Sequence, residues 1–251
     1  MMLAVLRNFG RKLAKALTLA VRPGFRRGLI FGVGAGIEHE ELLNGLNAGT
    51  VVDVGANKGQ FALLALALFP QAKIYAFEPL AGPFARLTAW GRREDRLICR
   101  RLALAQTAGT QVMHVSARAD NSSLRAITPR QTAQFPGTER VGEEEVAVAR
   151  LDEVLCPADL VEPALLKIDV QGGELDVLRG ATALLPYFEW VYVECSFVEF
   201  YQGQDLIDEV TEFLAQAGFS PTVYWRTCRD AAGAPMQADV LFGKTDPFMS
   251  P

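Results

Sequence analysis

The feature that most constrains the fold is a repeated alternation of short apolar runs and helical stretches, the runs ending on acids or glycines. Thr50–Gly55 (TVVDVG) is such a run, and Lys58–Phe69 after it is rich in Ala and Leu until Pro70 stops it. Ala72–Phe77 reads as a second strand ending at Glu78-Pro79, Ala81–Arg92 as a helix, and Arg96–Ala103 as a third strand. Ala164–Asp169 (ALLKID) is a later strand, followed by Gly172-Gly173 and a helix through Leu185. Trp190–Cys195 is another strand and Gln204–Ala217 a helix halted by Gly218. Pro221–Trp225 and Ala238–Phe242 close the chain as a pair of strands. Strands separated by single helices form βαβ units, which need a mostly parallel sheet with helices on both faces. Between the two halves, Thr110–Val115 and Val146–Ala149 read as strands. The polar stretch 116–142, broken by Pro129, Pro136 and Gly137, reads as a long loop or small insert.

Composition narrows the class. Half of the 251 residues are apolar and 22% are charged, which excludes disorder, collagen and coiled coil. The longest apolar run, Phe61–Pro70, is too short to span a bilayer. Cys99, Cys156, Cys195 and Cys228 form no CxxC pair, and their scatter fits a reducing cytoplasm. With only His39 and His114, no His-rich metal site is encoded, and no metal is expected.

Charge is unevenly divided. Residues 1–37 hold seven basic side chains and no acid, leaving eighteen basic against twenty-nine acidic residues in the rest. Leu3, Leu6, Leu13 and Leu17, with Val5 and Phe9, recur at helical spacing. Residues 1–49 are therefore read as a basic N-terminal helical segment ahead of a catalytic domain over residues 50–251. The arm either docks on its own acidic body or makes peripheral contact with an anionic inner-membrane surface through residues 1–37. It is not expected to be needed for cofactor binding. No nucleic-acid partner is expected.

In a parallel sheet, ligands bind beyond the carboxyl ends of the strands, and the chemistry gathers there. Asp53-Val54-Gly55-Ala56-Asn57-Lys58-Gly59 follows a strand and opens a helix. The dinucleotide fingerprint GxGxxG fails, because its positions fall on Gly55, Asn57 and Gln60. A carboxylate such as Asp53 at the strand end suits the sulfonium and ammonium of S-adenosylmethionine better than a pyrophosphate. Glu78 can accept both hydroxyls of a ribose, and Pro79 turns the chain away. Asp169 and Glu194 bring two carboxylates to the same edge, either able to take a hydroxyl proton. His114 and His39 are further candidates for that proton. Lys167, one residue off the apolar alternation, can pair with a neighbouring acid. Asn121-Ser122-Ser123-Leu124 is either a plain turn or a donor of hydroxyl and amide groups to a ligand.

VVDVGANKGQFA, YAFEPL, NSSL, RLDEV, LLKIDVQGGELDVLRGA and VYVECS, in this order, resemble the FkbM family of S-adenosylmethionine-dependent methyltransferases over about residues 50–243. The resemblance implies a seven-stranded class I methyltransferase fold, Rossmann-like and α/β, with a C-terminal antiparallel hairpin. It implies O-methylation of a sugar, glycan or polyketide-type natural product. On it, Asp53, Gly55, Asn57 and Gly59 hold the methionine end of the cofactor and Glu78 with Pro79 the ribose. Leu102 and Ala103 face the adenine, and Asp169 faces the transferred methyl and the acceptor. Two other readings remain: a non-catalytic nucleoside-binding protein on the same fold, and a dinucleotide-dependent oxidoreductase.

Overall fold

A computed structural model describes Leu19 and residues 21–245. The amphipathic spacing from Leu3 to Leu17 lies outside the described residues. The chain runs through α1 (Pro23–Ile30), α2 (Glu40–Leu43), β1 (Thr50–Val54), α3 (Gln60–Leu68), β2 (Lys73–Phe77), α4 (Ala81–Gly91) and β3 (Leu97–Arg100). Next come β4 (Ala103–Leu104), β5 (Gly109–Ser116), α5 (Pro129–Gln134), β6 (Arg140–Ala149), α6 (Leu151–Val154), β7 (Ala164–Ile168) and α7 (Glu174–Gly180). The last elements are β8 (Trp190–Ser196), α8 (Ile207–Gln216), β9 (Phe219–Arg229) and β10 (Pro235–Lys244).

The main sheet has seven strands in the order β3-β2-β1-β7-β8-β10-β9. The first five are mutually parallel, and β10 runs antiparallel to both β8 and β9. This is the expected class I methyltransferase arrangement, closed by a C-terminal hairpin. Alternation along β1 sends Val52 and Val54 into the core on one side of the sheet and Val51 into the core on the other. Every residue of β1 and β7 is buried, as both faces of a helix-covered parallel sheet require.

The structure departs from the sequence reading in three places. The third strand is not continuous: β3 ends at Arg100, and Ala103-Leu104 leaves the main sheet to pair with β6. Arg101 fixes the departure, its guanidinium donating to the Pro79 carbonyl at 3.2 Å and to Glu144 at 2.8 Å. Second, β6 begins at Arg140 rather than Val146, making a second sheet in the order β4-β6-β5. Glu143, Glu144 and Glu145 pair with His114, Met113 and Val112 of β5, and their acidic run hid the strand. Third, α7 stops at Gly180 instead of running to Leu185, because its backbone lies against β4's exit. A Cβ on Gly180 would meet the Ala105 carbonyl oxygen at 2.2 Å.

Residues 21–49 are built into the body. Phe25, Val33, Ala35 and Leu43 are buried in the same core as α3. An eight-residue helix is not stable alone, so α1 owes its form to that packing, where a buried Phe contributes roughly 1.5–3 kcal/mol.

Candidate active site

A cavity of about 680 Å³ opens at the carboxyl edge of β1, β2, β7 and β8, within the usual range for small-molecule sites. Its floor is the loop after β1 and the loop after β7. The second sheet contributes one wall through Leu104 and Met113, and a strap from Ala119 to Arg125 crosses beside it. The opposite wall comes from Gly34, Gly36, Glu38 and His39, which puts part of the N-terminal segment into the site.

One half gathers around Gly55, Asn57 and Glu78. Gly55 and Asn57 line it with left-handed backbone, at φ +76° and +48°. That conformation aims the Asn57 N–H at Glu78 Oε2, to which it donates at 2.8 Å, while the Leu80 N–H donates to Oε1 at 2.8 Å. Burial raises the Glu78 carboxyl to about 7, against the pull of those two N–H donors. Both oxygens keep lone pairs for a vicinal diol. Pro79, Leu102 and Ala103 also line this half, as expected. The Asn57 side-chain oxygen is buried without a hydrogen-bond partner, an acceptor waiting for an ammonium or amide donor.

Two of the anticipated residues do not reach the cavity wall. Asp53 is fully buried beneath it, 2.9 Å from Lys167 Nζ, its neighbour across β1 and β7. Burial raises the Asp53 carboxyl and Lys167 works against that. Burial also opposes the charge on Lys167, but Asp53 and Asp169 outweigh it and raise its pKa. The ammonium lies 3.1 Å from the Gly55 carbonyl oxygen and lines the cavity, so Asp53 acts on the site through Lys167. Gly59 turns toward α4, where a Cβ would meet Leu87 at 2.5 Å and Trp90 at 2.6 Å. Its glycine serves helix packing.

The other half carries the acids. Asp169 lines the cavity with its side chain 39% exposed, the most open carboxylate of the group. Glu194 stands on the neighbouring strand, and Gln171 Nε2 donates to both, at 2.8 Å to Asp169 Oδ1 and 2.5 Å to Glu194 Oε2. Asp239, directly across from Glu194 in the β8–β10 register, joins them. Burial, then the charges of Asp169 and Asp239, push the Glu194 carboxyl well above the usual carboxylate range. Burial and Asp169 raise Asp239 to about 7. His39 Nδ1 lies 2.8 Å from the Tyr192 hydroxyl, and burial lowers its pKa to about 4, so the ring is neutral at physiological pH. His114 faces Glu143 at 3.5 Å on the second sheet and does not line the cavity. Among the described residues, no group of three or more His, Cys, Asp or Glu side chains is arranged to hold a metal.

The profile of the methyltransferase FkbM domain matches residues 53–221 of this chain. The chain belongs to the FkbM methyltransferase family. It is 32% identical over 201 residues to the 31-O-demethyl-FK506 methyltransferase FkbM of Streptomyces tacrolimicus, covering 70% of this chain and 74% of that protein. It is 29% identical to the 2-O-methyltransferase NoeI of Sinorhizobium fredii, covering 61% of this chain and 66% of NoeI. It is 29% identical to the hexuronic acid methyltransferase AglP of Haloferax volcanii, covering 68% of this chain and 63% of AglP. The chain thus spans just under two thirds of the length of the last two. As an FkbM methyltransferase it uses S-adenosylmethionine.

Within this FkbM methyltransferase, sequence reading did not single out Gln171 or Asp239, which line the cavity. Asp239 lies in mid-strand of β10 and reaches the site only through its pairing opposite Glu194. Gln171 had no signal apart from its place between Asp169 and two glycines. The NSSL stretch does contribute polar groups. Ser122 and Leu124 line the cavity, while Asn121 and Ser123 bond to Gln171.

Proposed function

We propose that this FkbM methyltransferase transfers a methyl group from S-adenosylmethionine to a hydroxyl of a sugar, glycan or polyketide-type natural product. The observation that carries the reading is the open carboxylate of Asp169 in the same cavity as the diol-binding carboxylate of Glu78. When bound, the cofactor supplies an electrophilic methyl on a sulfonium. Asn57 and Glu78 hold it by the methionine and ribose ends, and Leu102 and Ala103 flank the base. Lys167 and Asp53 stiffen the floor beneath.

Asp169 accepts the proton that leaves the acceptor hydroxyl as the new C–O bond forms. Burial and the neighbouring acids work against charge on Glu194, so Asp169 is the base and Glu194 orients the acceptor. Holding the acceptor oxygen in line supplies the larger share of the rate. Asp169, the open carboxylate at the acceptor end, repels a phosphate backbone, which favours a small-molecule or glycan acceptor over nucleic acid.

Methyl-labelled cofactor incubated with a panel of glycosides and polyketide lactones tests the assignment. Label transfer to a hydroxyl is the expected result. Cofactor binding without turnover across the panel would favour the nucleoside-binding reading. Calorimetric binding of NAD in place of S-adenosylmethionine would favour the oxidoreductase.

We also propose a cytoplasmic enzyme that touches the inner-membrane surface through residues 1–37. No helix among the described residues is long and apolar enough to cross a membrane. Val21, Ile30 and Phe31 are exposed, and Arg22, Arg26 and Arg27 are their neighbours in sequence. Salt-sensitive co-sedimentation with anionic vesicles is expected, and equal partitioning with neutral vesicles would contradict it.

A further inference from the structure

Gln171 is 7% exposed and sits at φ +62°, a backbone conformation that a non-glycine residue rarely holds without other contacts to fix it. Neighbouring side chains supply those contacts. Its carbonyl oxygen accepts from Ser123 Oγ at 2.6 Å. Its side-chain Oε1 accepts from the Tyr201 hydroxyl at 2.6 Å and from Asn121 Nδ2 at 3.1 Å. Gln131 Nε2 donates to the same Tyr201 hydroxyl at 3.2 Å. The Tyr201 hydroxyl also lies 3.2 Å from the Asn121 carbonyl oxygen, but its shorter contact is with Gln171 Oε1; with Asn121 Nδ2 on the same oxygen, Nε2 faces Asp169 and Glu194. An amide nitrogen has two hydrogens, and here one goes to each carboxyl group.

We propose that Gln171 is a positioning residue that joins Asp169 and Glu194 into one fixed pair and ties that pair to the strap carrying Asn121 and Ser123. The role rests on the reading that Asp169 takes the acceptor's proton. One amide nitrogen bonded to Asp169 Oδ1 and Glu194 Oε2 sets the spacing between the two groups, and the second oxygen of each then meets the acceptor. The burial of Glu194 among Asp169, Asp239 and Glu174 makes the need for a donor acute. Because the strap also lines the cavity through Ser122 and Leu124, the seating of the strap and the aim of the two acids are set by one side chain.

The test is Gln171→Met, which keeps the length of the side chain and removes both donor and acceptor. On full-length protein without cofactor, the 13C carboxyl signal of Glu194, identified by its loss in Glu194→Gln, is titrated in wild type and variant. Loss of a donor disfavours the charged form, so the Glu194 midpoint should rise by about one pH unit. With cofactor and acceptor, kcat should fall by roughly 10–100-fold, the scale of a small misplacement of reacting groups. The KM for acceptor and the affinity for cofactor should stay within about threefold. An unmoved midpoint in a folded variant overturns the proposal. So does a fall in cofactor affinity as large as the fall in kcat, which would make Gln171 a structural latch only. If Gln171→Met does not fold, Tyr201→Phe removes one of the two anchors of Oε1 and should move midpoint and kcat in the same directions by less; no movement overturns the proposal. A midpoint that shifts while wild type turns over no acceptor hydroxyl would instead overturn the O-methyltransferase reading alone.

Discussion

A methyl group on Gly55 would stand 1.8 Å from the carbonyl oxygen of Asp169. The Asp169 N–H also donates to the Val54 carbonyl at 3.1 Å. The loop after β1 and the loop after β7 are therefore in direct backbone contact. Their relative position is a property of the sheet, inherited from neighbouring parallel strands β1 and β7. On the proposed mechanism, this contact fixes the distance between cofactor and acceptor before either binds.

Gly55→Ala should break that contact. The left-handed backbone costs a side chain about 1–2 kcal/mol, and overpacking adds roughly 1–3 kcal/mol. The obstacle is backbone, which cannot swing aside as a side chain would. Thermal melting should show a destabilised but folded protein, and calorimetry should show S-adenosylmethionine affinity reduced at least about tenfold. Wild-type affinity would mean that the two loops move independently.

Glu78→Ala should weaken S-adenosylmethionine by roughly 2–3 kcal/mol, the range for hydrogen bonds to a charged group. The same residue predicts a pH dependence. Its carboxyl titrates at about 7, raised by burial from the ordinary 4.5. The ionised form accepts both ribose hydroxyls, so binding releases the proton and affinity falls as pH drops through 7. Between pH 8 and pH 6 the affinity should fall by about tenfold. Glu78→Gln, which cannot ionise, should bind weakly at both values and lose the dependence.

The strand ends were legible in the sequence because each reports a local fact: an apolar run that reaches an acid, with a glycine or proline close behind it at Asp53, Glu78 and Asp169. Gly55, Asn57, Glu78, Asp169 and Glu194 follow from that pattern. What stayed hidden depends on which way a side chain points and on what lies across the sheet. Asp53 follows the same pattern as Glu78. Yet the register opposite Lys167 turns it under the cavity floor, whereas Glu78 lies past the end of β2 and faces in. Asp239 enters the site only because β10 returns antiparallel beside β8, a long-range pairing that no local window contains. The second sheet was hidden because β6 is half exposed and acidic, and an acidic run reads as loop.

The N-terminal boundary can be tested by truncation. A chain beginning at residue 21 should fold and bind S-adenosylmethionine, because it keeps Phe25, Val33 and the cavity wall from Gly34 to His39. A chain beginning at residue 40 loses that wall and exposes the core face of α3. Phe25 and Val33 each bury roughly 1.5–3 kcal/mol of side chain. Its melting temperature should drop by several degrees or more and cofactor binding should be lost, against the expectation from sequence that residues 1–37 are dispensable for it, because Gly34 and Gly36 line the cavity. Undiminished binding by the shorter chain would show that residues 33–39 serve the acceptor side only.

Asp169→Asn tests the chemical step itself. The amide is nearly isosteric, and its oxygen can still accept from Gln171 Nε2, so the fold and the loop should survive. What it loses is the ability to take a proton. The acceptor hydroxyl would then attack without a base, and kcat should fall by roughly 10²–10⁴-fold, the usual contribution of a positioned acid or base. Cofactor affinity should change by less than about threefold, because Asn57 and Glu78 hold the methionine and ribose ends independently. Glu194→Gln should lose less, since Glu194 is already held toward its protonated form and an amide can still donate to the acceptor. Comparable losses in the two variants would make the pair, not Asp169 alone, the base. A kcat for Asp169→Asn within about threefold of wild type, a difference of only ~0.65 kcal/mol in barrier, would mean that proximity alone carries the transfer. His39, neutral and 2.8 Å from the Tyr192 hydroxyl on the same cavity wall, would then be the next proton acceptor to remove.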